Sequence, residues 1–191
     1  MKEERFWNWF LANAKAIKLW INTNDSDYKL YNTLTEQLWE YSENLIPELT
    51  VDKNGNAVLI ISCDGIKAGI QPVLQLYNAA PPVKGWVIQK FRAPGYVNSV
   101  TFEGLALAPD DIRIKFIFNG PVADVEIYMK GYNDNDSRYK SLGFLYLDHF
   151  IGEYAAMTRI GQISFKKPSW FNRSKGTVTL QEFSNLLNNN N

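Results

Sequence analysis

Apolar residues recur at spacings of three and four near the start of the chain. Phe6, Phe10, Ala14, Ile17 and Ile21 fall on one stripe that predicts a helix over 3–20, and Trp7 and Trp9 widen it. After the polar break at 22–26, Tyr31, Leu34, Leu38, Tyr41 and Leu45 repeat the spacing and predict a second helix ending before Pro47. Asn54-Gly55 then separates 48–53 from 56–62 and suits the left-handed backbone of a tight hairpin. Pro72 opens a short helix to Asn78, Pro81-Pro82 stops it, and a strand is expected over 86–92.

The second half alternates where the first half coiled. One strand is expected over 98–107, with a turn at Pro109-Asp110-Asp111. Ile112, Ile114, Phe116 and Phe118 then alternate with their neighbours, Asn119-Gly120-Pro121 turns the chain, and Val125, Ile127 and Met129 alternate on the way back. The loop 131–136 leads to Ser137, read as the cap of a helix running to about Arg159, and a last strand covers 162–166. Helices gathered before and after hairpins predict an α+β fold: an antiparallel sheet of about six or seven strands with helices mainly on one face. One domain is expected over 1–187, with 188–191 a disordered tail and no repeat of fixed period.

Charge narrows the partners. The 191 residues hold 20 Lys+Arg and 20 Asp+Glu, ten of each up to Tyr96 and ten of each after it. Such balance argues against nucleic acid, whose binding rests on neutralising phosphates. A single Cys and a single His cannot build a disulfide or a four-ligand zinc site. No cofactor or metal is therefore expected. No apolar run reaches 18 residues, so no membrane is expected either, and the cytoplasm is the expected compartment.

One helix carries a pattern with chemical potential. On a continuous helix from 137 to 159, Glu153 falls among Leu142, Tyr146, Phe150 and Met157, where an apolar residue belongs, and His149 precedes it by four. The pair reads either as a general base with its orienting acid, or as two metal ligands, helped by Asp64 or Asp148. It also reads as a buried polar pair satisfied by neighbours, with His149 or Arg92 as the partner of the acid, and the lack of a second His favours this.

Cys63, before Asp64-Gly65, is weighed as a nucleophile and more readily as a small core residue. No glycine-rich phosphate loop occurs. From Arg159 to Gln181 the chain has bases and no acid, so Lys166, Lys167, Trp170, Phe171 and Arg173 form a candidate binding segment, or a loop with solvated charges. Phe6, Trp7, Trp9 and Phe10 are either core or an exposed anchor for a partner.

Four stretches carry a resemblance: Phe6-Trp7-Asn8-Trp9-Phe10, Ile61-Ser62-Cys63-Asp64-Gly65, the segment 79–86 with Phe91-Arg92, and the segment 147–153. Together they resemble an uncharacterised bacterial protein family of unknown function. The resemblance implies a bacterial cytosolic protein and no mechanism. The reading taken forward is a non-enzymatic protein-interaction protein, with a protein partner or a homodimer. The alternative is a small hydrolase or metal-dependent enzyme built on His149 and Glu153. Toxin neutralisation is a third class.

Overall fold

The structure, a computed structural model, describes residues 1–23, 27–95, 97–168 and 176–190. It is α+β, and its contacts cluster into two compact units, Met1–Arg92 and Ala93–Asn191. The expected single sheet is three smaller ones, of three, two and three strands among the described residues.

The first unit begins with α1 (Lys2–Thr23) and α2 (Lys29–Tyr41). The predicted stripe of α1 is real: Phe6, Trp7, Phe10, Ala14 and Ile17 are all buried. Leu34 and Leu38 of α2 are buried as well. Helix α2 stops before Leu45, and Pro47 lies inside β1 (Ile46–Val51) rather than marking a boundary. β1 is an edge strand, where a missing N–H leaves no ladder bond unmade. It pairs antiparallel with β2 (Ala57–Ser62) across the Asn54-Gly55 turn, where Gly55 takes φ 78°.

A 3-10 turn (Lys67–Gly69) and α3 (Ile70–Asn78) then carry the chain to β3 (Trp86–Lys90), which pairs with β2 in parallel. The all-antiparallel expectation fails here. A helix between two strands returns the chain to the starting end of the sheet, and this makes the second strand parallel.

In the second unit the expected strand over 98–107 is a hairpin, β4 (Val100–Phe102) with β5 (Leu105–Leu107). Its turn is Glu103-Gly104, at φ 46° and 78°. The predicted hairpin of β6 (Ile112–Asn119) and β7 (Val122–Met129) is present, with Ile112 opposite Met129. β8 (Ile160–Lys166) runs parallel to β7. A core forms where Ile114, Val125 and Ile127 meet Leu142, Tyr146 and Phe150 of α4 (Ser137–Ile151). The cap of α4 is Asp136, whose carboxylate accepts the Arg138 N–H at 3.1 Å, one residue before the expected Ser137.

The expected helix to Arg159 is broken at Gly152. Its φ of 83° and ψ of 149° end α4 and begin α5 (Glu153–Thr158). Only glycine enters that backbone region without steric cost. The described residues end with a helix that runs to Asn189. α6 (Leu180–Asn189) starts from a capping box, in which Thr179 Oγ1 accepts the Glu182 N–H and Glu182 accepts the Thr179 N–H. Phe183 and Leu187 of α6 are buried, and the Asn190 side chain donates to Gly120 O at 2.9 Å.

Both units contain one succession: an antiparallel hairpin, a helical crossover, and a strand parallel to the second strand of the hairpin. The middle strand is central in each sheet, β2 in the first unit and β7 in the second.

Candidate functional site

In parallel sheets the strand ends point one way, and ligands collect at the carboxyl ends. In the first unit that place holds Ser62 at the end of β2, Asp64 just after it and Arg92 two residues past β3. Arg92 Nε donates to Glu48 Oε1 at 2.5 Å, and one terminal nitrogen, Nη2, donates to Asp64 Oδ1 at 2.5 Å and to Ser62 Oγ at 3.0 Å. The Ser62 hydroxyl also accepts the Asp64 N–H at 3.0 Å. Asp64 and Phe91 both take left-handed backbone, at φ 50° and 57°. Such strain in non-glycine residues persists only where surrounding contacts hold it. Arg92 and Asp64, separate candidates from sequence, thus form one cluster with Glu48 and Ser62. Its charges face each other, so this place in the first unit is filled by its own side chains.

Cys63, between Ser62 and Asp64, is wholly buried. A Cβ placed on Gly69 would stand 2.4 Å from the Cys63 Cβ, so the turn presses on the cysteine from the Gly69 side. A thiol enclosed in this way meets no substrate from solvent, and Cys63 takes its place as a core residue.

Glu153 is fully buried, as the stripe predicted. Its relation to His149 differs from the prediction. The break at Gly152 takes Glu153 off the helix of His149, so the four-residue spacing does not set them side by side. No hydrogen bond or ion pair joins the two side chains among the described residues. His149 is half-buried, and its carbonyl accepts the Gly95 N–H at 2.6 Å. Among the described residues no group of three His, Cys, Asp or Glu side chains could hold a metal ion.

Of the basic segment, Trp170, Phe171 and Arg173 lie outside the described residues. Lys166 is engaged, because it and Lys115, at 3.7 Å, both face Glu126, which also accepts the Tyr128 hydroxyl at 2.8 Å. The Lys166 ammonium, then the Tyr128 hydroxyl, hold the Glu126 carboxyl below its ordinary range, and Tyr128 is pushed up in return. Lys167 is exposed.

The N-terminal aromatics divide. Phe6, Trp7 and Phe10 are core, and Trp7 Nε1 donates to Leu76 O at 2.9 Å. Trp9 is half-exposed, on the outer side of α1. There it lines a groove of about 780 Å³ between α1 and α2, with Leu19, Trp20, Leu30 and Thr33. Leu19 is 64% exposed. Trp20 is fixed by stacking on Tyr31 at 6.1 Å and by donating its N–H to Asp27 O at 2.8 Å. Lys29 stands at the rim and forms no ion pair among the described residues, while Asp27 Oδ1 accepts the Lys29 backbone N–H at 2.9 Å. The sequence signal for this groove was Trp9, read with its aromatic neighbours either as core or as an exposed anchor for a partner.

Neither a protein-family model nor a curated protein matches the chain. Among the described residues no helix is long and apolar enough to cross a membrane.

Proposed function

We propose that this is a non-enzymatic protein-interaction protein whose docking face is the groove between α1 and α2. The observation that carries the reading is that groove, where a half-exposed Trp9, an exposed Leu19 and the fixed aromatic surface of Trp20 meet the ammonium of Lys29, which forms no ion pair among the described residues. Aromatic surface held rigid loses little entropy on binding and serves as an anchor site. The occupant that fits is a segment of a partner protein bearing an apolar side chain beside a carboxylate. The apolar group covers Leu19 and Trp9, and the carboxylate meets Lys29. The single buried thiol and the resemblance to bacterial proteins of unknown function support a bacterial, cytoplasmic setting.

The test is co-purification from the cells that make the protein, followed by titration of the isolated partner. One protein should be retained by the wild type and by Leu186→Asp, a substitution on exposed α6 surface, and lost with Leu19→Asp. Lys29→Glu should weaken the titration about tenfold. Retention indifferent to Leu19→Asp, no retained protein, or a second copy of this chain in the groove would each overturn the reading.

A further inference from the structure

In the second unit the carboxyl ends of the parallel strands present a different picture from the first. Two residues past β3 stands Arg92, which fills the end of the first sheet, whereas two residues past β8 stands Pro168, whose side chain has no polar group. A cleft of about 310 Å³ remains there, lined by Asp110, Asp111, Arg113, Tyr128, Lys130 and Thr177 together with Pro168. Its size is that of a small-molecule site.

The charges in this cleft are of two kinds. Asp111 and Lys130 are paired at 3.1 Å, and Asp111 also accepts the Ala108 N–H at 3.1 Å. The Ala108 N–H, then Lys130, hold the Asp111 carboxyl below its ordinary range. These two charges satisfy each other. Asp110 and Arg113 do not: neither forms an ion pair with any described residue. Arg113 reaches the cleft because Ile112 and Ile114 on either side point into the core, which turns it to the opposite face of β6. Among the described residues its one hydrogen bond goes from Nη1 to Ile112 O at 3.0 Å, and Glu182, which lies within electrostatic reach, forms no ion pair with it. Thr177 adds a third polar group, since its hydroxyl oxygen is buried and has no hydrogen-bond partner among the described residues. A buried hydroxyl without a partner carries a desolvation cost that a ligand can relieve.

We propose that this cleft binds a small zwitterion of the amino-acid type, with its carboxylate on Arg113 and its ammonium on Asp110. One anion and one cation of the protein line the cleft without pairing, and a molecule with both charges a few bonds apart satisfies both. A guanidinium fork takes a carboxylate through two hydrogen bonds, and the Thr177 hydroxyl adds a third polar contact to the same ligand. A simple anion would leave Asp110 unpaired, and a simple cation would leave Arg113 unpaired. The site is separate from the groove between α1 and α2 and stands whether or not that groove docks a partner.

The experiment is calorimetric titration of the full-length protein with each of the twenty free L-amino acids, with propionate and ethylammonium as probes of one charge each. At least one amino acid should bind saturably, and both probes about tenfold more weakly or not at all. For that amino acid, Arg113→Gln and Asp110→Asn should each weaken binding about tenfold or more, and Lys115→Gln, on the same strand, should not. Thr177→Val keeps the shape and removes the hydroxyl. It should weaken binding severalfold with no loss of thermal stability, which separates a lost contact from a damaged fold. Absence of binding by all twenty, propionate binding as tightly as the best amino acid, or binding unchanged in a folded Arg113→Gln protein would overturn the proposal.

Discussion

Arg92 and Asp64 stand 28 residues apart in sequence and 2.5 Å apart in space, and their ion pair ties the end of β3 to the turn after β2. The same guanidinium holds Glu48 of β1, so one side chain links all three strands of the first sheet at one end. Arg92→Met leaves two carboxylates facing each other and should destabilise the protein by about 2 kcal/mol. Urea denaturation measures it. An unchanged midpoint would mean that the cluster is solvated surface and does not hold the strained turn.

The buried carboxylate of Glu153 should be costly to remove. A charge with no exposure persists only where surrounding groups compensate it, and truncation strands those groups. Glu153→Ala should cost about 3 kcal/mol in chemical denaturation, and Glu153→Gln, which keeps a polar acceptor in place, should cost less. Equal midpoints for Glu153→Ala and wild type would contradict this.

Gly69 is the expected weak point of the turn between β2 and α3. Any side chain there meets Cys63 Cβ and, at 3.2 Å, the Asn44 carbonyl, neither of which can swing aside. Although alanine favours helical backbone, Gly69→Ala should lower stability by about 2 kcal/mol through overpacking. A stabilised variant would show that the turn relaxes freely.

Two tyrosines predict the behaviour in base. Burial, then the Asp134 carboxylate that accepts its hydroxyl at 2.6 Å, push Tyr132 up to about 12. Burial, then Glu3, push Tyr41 to about 12 as well. An unfolded tyrosine ionises near pH 10. Above that pH the unfolded chain releases protons that the folded chain keeps, so stability is full below about pH 10 and falls as the pH rises toward 12. Tyr132→Phe should make the fall shallower by one proton in urea midpoints taken between pH 9 and 12. A slope identical to wild type would show that Tyr132 titrates freely in the folded state.

Where local spacing governs, the structure follows the sequence. The stripe of α1, the Asn54-Gly55 turn and the alternation of β6 and β7 depend on neighbours within a few residues, and all three are present. Other features escape local patterns. Glycine is tolerated within a helical period, so Gly152 gave no sign that it would take extended backbone at positive φ and separate His149 from Glu153. Glu103 at φ 46° is a turn residue with no usual turn signature, which is why β4 and β5 read as one strand. The polar composition of α6 hid a helix that its Thr179 and Glu182 cap announces. The sites were the least legible part. Asp64 and Arg92 were named separately because their meeting depends on the parallel pairing of β2 and β3. Arg113 and Thr177 were missed because the face of β6 that Arg113 occupies acquires meaning only when Thr177 lies beside that strand, through the bridge between Ile114 and Val178.

The central claim is that the face between α1 and α2 docks a partner protein, and a photo-crosslinking residue placed at Leu19 tests it most directly. Illumination in the native cells should yield one discrete adduct with a different polypeptide, joined at a segment where an apolar residue neighbours an acid, and the same probe at Leu186 should not yield it. No adduct at position 19, or the same set of adducts from both positions, would contradict the account.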